Sequence, residues 1–171
     1  MFAIPSELQA HIRTRLAEDP GAVIDHVARD LGTTPAAVIR CLPPEEARVV
    51  DGGLFEDVML ACAEWGEMTM IVHTDDVILE AKGCIPRGKK AHGHYNLHGA
   101  PIGGHFKYEN CAMIAFVSRK LFTSDTRSIQ FFNKDGGCMF KIYLGRDEQR
   151  NLRSDQVAHF EALRDRLADA G

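Results

Sequence analysis

Residues 128–145 read SIQFFNKDGGCMFKIYLG, two runs rich in Ile, Phe and Tyr on either side of Asp135-Gly136-Gly137. Asp-Gly between such runs is a strong hairpin signal, because glycine accepts the positive φ of a tight turn at no steric cost. The stretch predicts a β-hairpin whose second strand ends at Gly145. The same composition extends upstream, in CAMIAFVSRKLF at 111–122 and MTMIVHTDDVILEAKGCI at 68–85. There Thr74-Asp75-Asp76 is a weaker turn signal between two further strands. The middle of the chain therefore predicts an antiparallel sheet of about six or more strands, consecutive and linked by hairpins.

Helical spacing governs both ends. Leu8, Ile12 and Leu16 recur every four residues over 6–17, and Val23, Ile24, Val27 and Leu31 form a stripe over 20–31 that Gly32 stops. Thr34-Pro35 opens a third helix, which ends before Pro43-Pro44. These three helices predict a small N-terminal segment, residues 1–45, packed on a main domain of residues 46–171. Residues 54–65 predict another helix, and Ser154 or Asp155 caps a last one with Val157, Phe160, Leu163 and Leu167 on one face. The expected class is α+β.

The pair of helices around DLGTT has the form of a helix-turn-helix. Its would-be recognition helix, PAAVIRCL, carries only Arg40, and residues 1–51 hold eight acids against five bases. Phosphate contacts need a cationic face, so a docking role is expected rather than nucleic-acid binding.

The 171 residues are 45% hydrophobic, enough for a substantial core. No apolar run approaches the roughly 18–20 residues that span a bilayer, and the start MFAIPSELQAHIR has no leader pattern, so a cytoplasmic protein without membrane insertion is expected. The five cysteines, Cys41, Cys62, Cys84, Cys111 and Cys138, form no CxxC pair. All are expected to be small buried hydrophobes. Charge is uneven: residues 52–81 hold seven acids and no base, whereas residues 82–120 hold one acid and seven bases. That basic segment suits an anionic group.

It also contains HGHYNLHGAPIGGH, residues 92–105, with four of the eight histidines. His92 and His94 have the spacing of a strand-borne zinc pair, but no cysteine lies close by in a suitable context. A GxSxG elbow and a P-loop lysine are both missing. A haem fits the residue types better, since it needs an axial ligand, an apolar platform and cations for its propionates. His73 in MTMIVHT and His105 in IGGHFKY offer ligands, and Arg87, Lys89, Lys90 and Lys107 offer charge.

In order along the chain, EWG, VHT, GGH-x-K-x-EN, FFNK-x-G and IYLGRD closely resemble the HutX/ChuX family of bacterial cytosolic haem-utilisation carriers. The resemblance covers roughly residues 52–168. It implies a twisted antiparallel sheet with flanking helices, like one half of HemS-type haem-trafficking proteins, and a homodimer. It further implies haem as cargo, without catalysis, passed to a haem-degrading enzyme. By their motifs, His73 and His105 are the implied iron-proximal residues, with Tyr95 and Tyr108 as competing axial ligands. His92, His94 and His98 are then expected as a basic, turn-rich rim. A haem-degrading or tetrapyrrole-modifying enzyme, or a DNA-binding regulator, are the alternatives.

Overall fold

The structure is a computed structural model and describes residues 4–169. Helices α1 (Ser6–Glu18), α2 (Ile24–Asp30) and α3 (Pro35–Arg40) come first. Strand β1 (Ala47–Asp51), helix α4 (Phe55–Cys62) and the hairpin β2 (Glu67–His73) and β3 (Ile78–Cys84) follow. Three short strands come next, β4 (Lys89–Ala91), β5 (His94–Leu97) and β6 (Gly104–Phe106). The meander β7 (Cys111–Leu121), β8 (Ser124–Asn133) and β9 (Cys138–Tyr143) precedes the last helix, α5 (Ser154–Ala168). The class is α+β.

The β8–β9 turn forms where Asp-Gly-Gly indicates. Gly136 takes φ +86°, and Asn133 Oδ1 accepts from the backbone N–H of Asp135 at 3.0 Å and of Gly137 at 2.9 Å. Two features depart from the sequence expectation. The strands are not one consecutive sheet: six pair in the order β1-β7-β8-β9-β2-β3, and β4-β5-β6 form a separate three-stranded sheet. Residues 47–51, for which the sequence indicated no element, are the edge strand β1, with Val50 opposite Ile114. ARVVD is too short, between PPEE and GGL, to show a period of its own.

Alternation along the strands gives the large sheet two unlike faces. Met68, Met70, Phe140, Ile142, Ile129 and Phe131 point to one side and form the main core with α4, α5, Tyr95 and Leu97 of the small sheet and Ile102 of the β5–β6 loop. On the other side Met113, Ala115, Val117 and Phe132 pack against α1–α3. Arg119 fastens these helices: its guanidinium donates to the carbonyls of Ala22 at 2.6 Å and Pro20 at 2.8 Å and pairs with Glu46 at 3.3 Å. The helices pack chiefly on the β1-β7-β8 half, and Asp25 of α2 reaches Lys141 of β9 and His73 of β2. Thr69, Ile71 and Tyr143 on the remainder of that face are half-buried, and Ile78 is exposed.

Cys41, Cys62 and Cys111 are buried and Cys138 is partly buried, but Cys84 is exposed at the end of edge strand β3, contrary to expectation. Burial pushes the Cys111 and Cys138 thiols up to about 11 and about 12. No described helix is long and apolar enough to cross a membrane.

Candidate functional site

The small sheet is built so that chemistry faces outward. In HYNL, Tyr95 and Leu97 turn into the core, so His94 and Asn96 turn away from it. Register sets Lys89 of β4 and His105 of β6 on either side of Asn96. The His105 ring has the His94 ring 6.4 Å away on one side and the His98 ring 6.3 Å away on the other, both edge-on. His94 and His98 are therefore immediate neighbours of His105, closer than a rim. His92 stands apart in the β4–β5 turn, with φ 52°. Among the described residues no group of three or more His, Cys, Asp or Glu side chains is disposed to hold a metal ion.

His105 is exposed. Its Nδ1 lies 2.6 Å from Asn96 Oδ1. Asn96 is only 9% exposed, and its Nδ2 donates to the carbonyls of Ala91 and His94 at 3.0 Å and, more weakly, of Lys89 at 3.4 Å.

The cations divide into two kinds. Arg87 is paired with Glu64, and Lys90 with Glu56 at 2.9 Å. Lys90 also lies 4.7 Å from the centre of the Tyr108 ring, and its contact with Glu56 holds its ammonium above the ordinary range. The acidic 52–81 segment thus folds against the basic segment that follows it. Lys89 and Lys107 are exposed and make no ion pair among the described residues.

Neither tyrosine is primed as a phenolate. Tyr95 is fully buried beneath the small sheet, and burial raises its phenol. Tyr108 donates to Glu109 Oε1 at 3.1 Å, and that hydrogen bond raises its phenol too.

His73 sits elsewhere. As the last residue of β2 it follows Val72, which packs on the main core, and so it points to the opposite face. There its Nδ1 is 3.6 Å from Asp25 Oδ2 of α2, and its ring stands edge-on to His26 at 5.9 Å. Asp25 also pairs with buried Lys141. The large sheet separates the two histidines: His73 is on the side of the N-terminal helices, and His105 is beyond the core on the outer face of the small sheet. Nothing in the residue types foretold this separation, nor that Asp25 and Asn96 hold the rings.

Residues 48–163 match the model of the haem-utilisation ChuX/HutX family. The chain belongs to that family. It is 37% identical over 158 residues to the intracellular heme transport protein HutX of Vibrio cholerae serotype O1, covering 91% of this chain and 82% of that protein. It is 44% identical to the heme-binding protein ChuX, with a TM-score of 0.83 across 94% of this chain and 98% of that one. At the level of fold alone, 95% of the chain matches 50% of PhuS from Pseudomonas aeruginosa, with a TM-score of 0.75 and 19% identity. The family fold therefore corresponds to one half of the larger proteins of that type.

Proposed function

We propose that this protein is a cytoplasmic haem carrier that accepts haem after import and hands it to a haem-degrading enzyme. The observation that carries the reading is His105, an exposed imidazole between other histidines on a face that also presents Lys89 and Lys107. Such a site takes iron from one side and propionates at its edge without enclosing the porphyrin, and an open site suits cargo that must leave again. The names of the family members at 37% and 44% identity, which speak of heme transport and heme binding, support carriage over catalysis.

The proposal also gives His73 a place. Ile78 stands opposite His73 in the register, and Ile71, Thr69 and Tyr143 continue the same face of the large sheet, which supplies the partly apolar surface a porphyrin needs. Since the two histidines are on opposite sides of one chain, they serve one iron only when they come from two chains. We therefore read the working unit as a homodimer in which His105 of one subunit and His73 of the other face the same haem. The start of edge strand β3, with Ile78 and Leu79 exposed at 57% and 63% and Val77 just before them at 56%, is apolar surface that a second copy would cover.

Haemin titration, followed by the Soret band and paired with sedimentation, tests this. About one haem per chain is expected. His73→Ala and His105→Ala should each weaken binding. Mixing the two variants under subunit exchange should restore one intact site per mixed dimer. No recovery on mixing, with exchange demonstrated, would place both histidines outside a shared site. Loss of the Soret band to a linear pigment under reductant and oxygen, with catalase present, would replace carriage by degradation.

A further inference from the structure

The hydrogen bonds of Asn96 decide more than the shape of a hairpin. A side-chain amide has one accepting end and one donating end. Here the donating end is fixed, because Nδ2 faces the carbonyl oxygens of Ala91, His94 and Lys89; the reverse orientation would set Oδ1 against three oxygens with no proton between them. Oδ1 is thereby turned toward His105 Nδ1, 2.6 Å away. An acceptor at that distance requires Nδ1 to carry the proton. A neutral imidazole with hydrogen on Nδ1 has its lone pair on Nε2.

We infer that Asn96 is a positioning residue that holds His105 in the Nδ1–H tautomer and aims Nε2 outward as its single metal-ligating atom. The inference rests on the reading of His105 as a haem ligand, but the tautomer is a property of the protein without haem. Ligating histidines characteristically donate their second nitrogen to a carbonyl or carboxylate, and removing that partner typically lowers metal affinity by about 10–100-fold. Asn96 plays that part from within the same sheet, one strand away. The other side chains facing the ring do not compete as acceptors for the Nδ1 proton: the His94 and His98 rings meet it edge-on at 6.4 and 6.3 Å, and the Lys89 ammonium has no accepting atom.

Nitrogen-15 NMR of the histidine-labelled, haem-free protein tests the first half, with the His105 signals identified by their loss in His105→Ala. A wild-type His105 protonated on Nδ1 is expected, and one protonated on Nε2 would overturn the inference outright. Haemin titration of two variants tests the second half. Asn96→Leu removes the acceptor and should release His105 to a mixture of tautomers and weaken haem binding by about 10–100-fold. Asn96→Asp keeps an acceptor toward His105 but loses the bonds to the carbonyls, and should retain binding close to wild type. Equal weakening in both variants would assign Asn96 to the hairpin alone and overturn the positioning role. Should Asn96→Leu fail to fold, the wild-type tautomer and the Asn96→Asp titration still decide. Failure of the wild type to bind haem would defeat the carrier reading and leave the tautomer result standing by itself.

Discussion

Asp25 is a single carboxylate with two dependants. It neutralises Lys141, which is 6% exposed along its side chain, and it faces His73 Nδ1 across 3.6 Å. Replacing it by alanine leaves an ammonium buried without its partner, a change that typically costs about 3–5 kcal/mol. Asp25→Ala is therefore expected to lower the urea midpoint substantially at an unchanged slope, and Asp25→Ala combined with Lys141→Met should recover most of the loss. A midpoint within experimental error of wild type in the single variant would show the pair to be energetically idle. At this scale the sequence was half legible. His73 and His105 stand out because histidine amid apolar residues or glycines is uncommon and draws notice. Asp25 reads as an ordinary acid in a first helical turn and Asn96 as an ordinary residue of a short strand, because their roles come from partners that only the fold supplies.

At the scale of elements, periodicity served wherever a segment was long enough to show it. α1 and α5 have their apolar residues at helical spacing and fall close to the expected limits, and the β8–β9 hairpin is written in its turn residues. The second helix was expected over 20–31 but occupies Ile24–Asp30; the residues before it form a turn whose Pro20 and Ala22 carbonyls are taken by Arg119. Sheet order was not legible, because pairing β1 with β7 or β2 with β9 leaves no mark on local composition. Arg119 is the strand residue on which the N-terminal helices depend. A hydrogen bond to a charged group contributes roughly 1.5–3 kcal/mol. Arg119→Met is therefore expected to speed amide exchange selectively over residues 20–30 while β8 and β9 stay protected. Uniform acceleration across all elements would show instead that helices and sheet open as one unit.

For the whole molecule, the pairing of β1 with β7 and the seating of α1–α3 on Met113, Ala115, Val117 and Phe132 set an order of events. Helices α1–α3 lack the sheet face they pack on until the strands beyond residue 110 exist. The β7-β8-β9 meander, by contrast, is joined by two short turns and closes over little chain entropy, so it is the favoured first structure. Pulse-labelled hydrogen exchange during refolding should find β8 and β9 protected before α2 and α3; the reverse order would refute this. In a ribosome-bound chain the consequence is a waiting period. Helices α1 and α2 emerge with their apolar faces uncovered and stay so until β7 and β8 have been made.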